Sequence, residues 1–169
     1  MMYGDYSSVD KYDVESGFYY KSIQADDSKK SRFSKVSSRD SISNIAIFNT
    51  ETETHHLLFE GKDIQIVNFL FELAFNEEGS KIDFYGDTLL LVRNNRNIQK
   101  RALKDKLLIE VKKENDNTKT ELWTAKKNGE DLKQIATVDE DASWHIDVHN
   151  QKIRIVTAVI TFDIQSFEW

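Results

Sequence analysis

No cysteine and no proline occur in this chain of 169 residues, and glycine appears only six times. Without cysteine there is neither a disulfide framework nor a thiolate metal site, and the redox compartment stays open. Without proline, and with so little glycine, the turns fall to Asn, Asp, Ser and Lys. No run of about 18 apolar residues exists, so no transmembrane helix is expected. The opening Met1-Met-Tyr-Gly-Asp-Tyr-Ser-Ser lacks the basic and apolar regions of a secretory signal. The expected compartment is a bacterial cytoplasm, or the periplasm or cell envelope if a leader was removed. The net charge of −6 weighs against a nucleic-acid partner, because phosphate binding needs a basic face.

What is present is the material of a β protein. Short runs of aromatic and β-branched residues alternate with polar clusters along the chain. Phe18 to Ile23, Asn44 to Asn49, His55 to Glu60, Lys81 to Tyr85, Thr88 to Arg93 and Leu107 to Lys112 read as strands. Later runs are Glu121 to Lys126, Leu132 to Val138, Trp144 to His149, Ile153 to Ile160 and Phe162 to Trp169. Gly86-Asp87 would turn Lys81–Tyr85 into a pair with Thr88–Arg93. Ile64 to Phe75 is the most apolar run and fits a helix nearly as well, but its β-branched and aromatic content favours a buried strand. Ile98 to Leu103 carries helix formers and is expected to make a helical turn. The organisation that follows is a flexible N-terminal segment over 1–15, then one all-β domain over 16–169. A mobile loop is expected around 24–43, where Ser, Asp, Lys and Arg dominate. A chain ending on Trp169 inside an apolar pattern should tuck that residue into the sheet.

Asn128-Gly129 is the strongest turn signal, since both residues tolerate positive φ. Around it, Leu122 and Trp123, Leu132 and Ile135, then Trp144 complete a pattern over residues 120–148 that resembles a blade of TolB-type β-propellers. Asn44 to Phe59 is a looser match to the same outer hairpin. The resemblance implies blade-like antiparallel meanders, in a partial or degenerate propeller or an open twisted sheet. It implies no activity.

The most chemical-looking feature is His145-Ile-Asp-Val-His149. Strand alternation puts His145, Asp147 and His149 on one face, neighbours about 6 to 7 Å apart, near enough for two to share a divalent metal. His55 and His56 are the remaining histidines that would complete a zinc shell. An amphipathic strand showing its polar face to water explains the same pattern. Arg93, Arg96, Lys100 and Arg101, with Lys104 and Lys106, form a basic tract that would cradle an anionic ligand or would simply be solvated. Trp123, Trp144, Trp169, Phe69, Phe71 and Phe75 are expected in the core, or on the surface as a partner site. Neither Gly-x-Ser-x-Gly, a Walker loop nor a dinucleotide fingerprint is found, and no residue is assigned a catalytic role.

The leading expectation is therefore a non-catalytic binding or interaction module with a protein partner, no cofactor, and scope for homo-oligomers. The alternatives are a metal-binding protein or metal-dependent hydrolase using His145, Asp147 and His149, and a fragment or subunit of a larger propeller.

Overall fold

The computed structural model describes residues 8–25, 41–61, 63–94, 96–113 and 116–169. Among them are thirteen strands: β1 (Asp10–Asp13), β2 (Phe18–Gln24), β3 (Ile42–Asn49), β4 (Thr54–Leu57), β5 (Ile64–Phe75), β6 (Ile82–Tyr85), β7 (Leu91–Val92), β8 (Leu107–Lys113), β9 (Lys119–Ala125), β10 (Lys133–Asp139), β11 (Ala142–Asp147), β12 (Lys152–Val159) and β13 (Thr161–Glu168). The chain is all-β, and among the described residues every strand pairing except the short parallel β7–β11 contact is antiparallel.

The larger sheet has the order β1-β2-β3-β5-β8-β9-β10, with β4 added beside β3 and β6 beside β5. It bends sharply where β3 meets β5, which share the single pair Ile42–Ile66. Past that corner β2 and β3 lie over β5, β8 and β9. Tyr20 packs its ring 5.4 Å from Phe69 and 5.0 Å from Phe71, and Phe59 meets Trp123 edge-on at 5.5 Å. Asn44 fixes the end of this fold-over, because its amide donates to the Phe59 carbonyl and its oxygen accepts from the Phe59 N–H.

The smaller sheet, β13-β12-β11-β7, covers the other side of β5, β8 and β9. Leu70, Leu108 and Leu122 point to that side, against Trp144, Ile146, Ile153 and Ile155. Phe69, Phe71, Leu107, Ile109 and Val111 point to the first side. The middle strands are thus buried on both faces, which is why Leu107-Leu108-Ile109 and Phe69-Leu70-Phe71 read as unbroken apolar runs. It is also why Ile64–Phe75 has no clean period in the sequence, although it is a strand as expected. Trp169 is buried at the end of β13, stacked on Phe84 with ring centroids 6.0 Å apart.

Several expectations are corrected. Asp10–Asp13 falls inside the expected flexible segment 1–15, yet it pairs in full register with β2, Asp10 opposite Lys21 through Asp13 opposite Phe18. Of the expected loop 24–43, Gln24 and residues 42–43 lie in strands, and 26–40 lies outside the described residues. Thr88–Arg93 does not return along β6. Thr88–Leu90 is a 3₁₀ turn capped by the Asp87 side chain on the Leu89 N–H, and Leu91–Val92 joins the smaller sheet. Gly86, at φ +120°, presses so closely on Leu70 and the Phe69 carbonyl that an added Cβ would sit 2.7 Å from each. Residues 98–103 form no helix. Ile98 donates to Ser80, while Arg101 and the Lys104 N–H are drawn to Glu72, so this backbone spends its donors outside the segment.

Candidate binding surface

The outer face of the smaller sheet carries the histidine strand. Asp147 is buried, and its carboxylate accepts from Arg93 at 2.9 and 3.3 Å, from the Asn150 amide at 2.9 Å, and from Arg154 at 3.2 Å. Burial alone would raise this carboxyl, but the hydrogen bonds from Arg93, Asn150 and Arg154 outweigh it and hold the group well below the usual carboxylate range. His145 stands opposite Arg154 on β12, and burial followed by that neighbouring charge lowers its pKa. His149 lies beyond the end of β11, exposed in the turn to β12. So His145 and Asp147 share a face as expected, His149 does not extend the row, and Asp147 already neutralises two guanidinium groups. His55 and His56 sit on β4 in the other sheet. Among the described residues no group of three His, Cys, Asp or Glu is placed to hold a metal ion.

The basic tract is divided rather than gathered. Arg93 turns to Asp147, whereas Arg101 makes a two-pronged contact with the fully buried Glu72 at 2.7 and 2.8 Å. Glu72 also accepts from the Lys104 N–H at 2.8 Å and from the Trp169 indole at 2.9 Å. Burial pushes the Glu72 carboxyl upward, and the Arg101 and Lys104 hydrogen bonds reverse the shift to a net lowering. Arg96 and Lys100 remain exposed. Two of the four expected anion ligands therefore answer carboxylates of the chain itself.

A more continuous surface lies on the outer face of β1 to β4. The register sets Tyr12 opposite Tyr19, Tyr19 opposite Phe48, and Phe48 opposite His55, a row of four rings crossing four strands. Beside it runs the row Asp10, Lys21, Ala46 and Leu57. The small Ala46 leaves a trough of about 330 Å³ walled by Tyr12, Tyr19, Lys21, Phe48 and His55. Tyr12 is 59% exposed, Leu57 46% and Ile23 37%. The Tyr12 and Tyr19 rings stack on one another, centroids 4.2 Å apart. The Tyr19 hydroxyl donates to Asp10 at 2.7 Å, and that bond pushes its pKa up to about 12. Sequence reasoning missed this row because it placed β1 in a frayed segment. The available signal was the alternation in Asp10-Lys-Tyr-Asp13 facing Phe18-Tyr-Tyr-Lys21 across the Gly17 turn.

Elsewhere a cavity of about 250 Å³ opens along β5 between its pairing with β3 and with β6, lined by Val9, Ile42, Ile66, Phe69 and Tyr85. At the far end of the smaller sheet, the β12–β13 hairpin runs past the body, exposing Val159, Ile160, Phe162 and Ile164. Compared with family models, with curated proteins and with solved structures, the chain matches none.

Proposed function

We propose that this chain is a non-catalytic binding module that engages a partner protein through the aromatic face of β1 to β4. The observation that carries this reading is the ring row Tyr12, Tyr19, Phe48 and His55 bordering the Ala46 trough. Exposed aromatic side chains with an apolar floor are the ordinary anchor chemistry of protein interfaces. The Tyr12–Tyr19 stack occupies one face of each ring, and the apolar floor at Ala46 beside it suits a protein side chain. Asp10 and Lys21 at the rim offer one acceptor and one donor to orient it. For the scaffold we propose a TolB-like blade in the β8–β9–β10 meander. Its support is the Asn128-Gly129 turn and the placing of Trp123 and Trp144 in the two separate cores.

A photo-crosslinking phenylalanine at position 12, in the native cell, tests the function. The expected result is one discrete protein adduct whose yield collapses when Ala46→Phe fills the trough. An adduct indifferent to Ala46→Phe would overturn the reading, as would an enzymatic turnover abolished by Asp147→Asn or His145→Ala.

A further inference from the structure

The free edge of β13 has a geometry that points to a second copy of this chain, independently of the aromatic face. Among the described residues β13 is the outermost strand of its sheet, with β12 on its other side. The β12–β13 register runs without a shift from Lys152 opposite Glu168 to Val159 opposite Thr161. Trp169 donates its N–H to the Gln151 carbonyl, so Trp169 faces β12. Antiparallel alternation then turns the N–H and C=O groups of Phe162, Ile164, Ser166 and Glu168 toward the open side. The Glu168 carbonyl is indeed met from there by the Lys106 ammonium, at 3.0 Å. Lys106 thereby closes one end of the edge and leaves Phe162 to Ser166 open.

Asp163 is the one charged residue in this open stretch, which otherwise lacks the usual guards of an edge strand. It contains no proline, no lysine and no bulge, and its exposed side chains include Phe162 at 68% and Ile164 at 44%. Thr161 to Ser166 are all exposed, so this part of the hairpin has no layer packed beneath it. A bare two-stranded ribbon in water is marginal at best.

We propose that two copies pair their β13 edges antiparallel about a two-fold axis at Ile164, merging the two smaller sheets into one. A two-fold axis perpendicular to the sheet sets residues of like parity opposite each other, because facing side chains share a face. Centred on Ile164, the pairing places Ile164 against the partner's Ile164, Phe162 against the partner's Ser166, and Asp163 against the partner's Gln165. The carboxylate meets an amide donor, and about six backbone hydrogen bonds form. Centring on Asp163 would oppose two carboxylates. Centring on Gln165 would require the Glu168 carbonyl that Lys106 already holds. Charge and available donors thus select one register and an isologous interface.

The absence of native cysteine makes the test clean. In the proposed register the two Ile164 Cα atoms lie about 5.5 Å apart, within disulfide reach. Ile164→Cys in the full chain should oxidise to a covalent dimer, whereas Phe162→Cys, facing the partner's Ser166, should stay uncrosslinked. Sedimentation should show a dimer for the unmodified chain. Ile164→Pro should shift it to a folded monomer whose melting no longer depends on protein concentration, since the lost N–H is not one that serves β12. A monomer at about 100 μM, a hundred times a micromolar dissociation constant, would overturn the proposal. So would equal crosslinking of both cysteine variants, or a dimer that survives Ile164→Pro.

Discussion

Replacing Lys127 by methionine should remove a large share of the stability of the molecule. Lys127 is 4% exposed and its ammonium donates to Asp13 at 2.9 Å and to the Glu72 carbonyl at 2.8 Å, while lying 5.1 Å from the Phe71 ring centre. Asp13 is equally buried, accepts from Ser16 at 2.6 Å, and has one oxygen, Oδ1, without a hydrogen-bond partner among the described residues. Methionine preserves the length and apolar packing of the stem, so the perturbation is electrostatic. It strands a carboxylate in the fold-over core and leaves the Glu72 carbonyl unmet. Breaking a buried pair from one side costs about 3–5 kcal/mol, and two charge-assisted hydrogen bonds at about 1.5–3 kcal/mol each sum to about 3–6 kcal/mol, an overlapping range. Urea unfolding followed by tryptophan fluorescence measures it as a fall in midpoint at constant slope. Adding Asp13→Asn removes the stranded charge, so the double variant should be less destabilised than the two singles summed, by about 1–3 kcal/mol. A Lys127→Met loss below about 1 kcal/mol, or strict additivity, would refute the reasoning.

Three further outcomes are expected. Asp147 and Glu72 both have carboxyl groups held below their ordinary values, so the stability they contribute is fully present above the unfolded pKa of about 4 and is lost as pH falls through the folded values; the lowered His145 adds a shallow fall in urea midpoint as pH drops through the imidazole range, and the midpoint should decline further below about pH 4, so a midpoint unchanged from about pH 5 to 2.5 would contradict this. Trp169→Ala removes the Phe84 contact and the indole bond to Glu72, at about 3–5 kcal/mol, whereas Trp169→Phe should fall between it and the native chain in thermal unfolding. Gly129→Ala strains a backbone at φ +91° and brings a methyl within 2.7 Å of the His56 ring, so it should cost at least about 1–2 kcal/mol in the same assay, with part regained by adding His56→Ala.

The elements that the sequence disclosed are those written into contiguous residues. The β9–β10 hairpin shows through Asn128-Gly129, β8 through its unbroken apolar run, and the burial of Trp169 through the pattern that ends on it. What was hidden depends on partners far away in the chain. Asp147 looked like a ligand because Arg93, 54 residues earlier, is silent about where it points. Lys127 and Asp13 are 114 residues apart. The aromatic row exists only through three strand registers acting together, and Tyr12 alone announces none of them. Thr88–Arg93 misled because only Leu91–Val92 within it is a strand, and that strand pairs with β11, reached only after the whole middle layer has been laid down.

That middle layer also constrains the route by which the molecule forms. β5 and β8, joined through more than thirty intervening residues, must find each other before either outer layer has a floor to settle on. Until then the ribbon of β5, β8 and β9 shows greasy surfaces front and back, and each outer layer can quench only one of them. Folding by such non-local pairing is slow, and its transient species is adhesive on two sides at once. A lesion in either outer layer should therefore be felt first as lost yield on refolding, before any change in the finished molecule becomes visible.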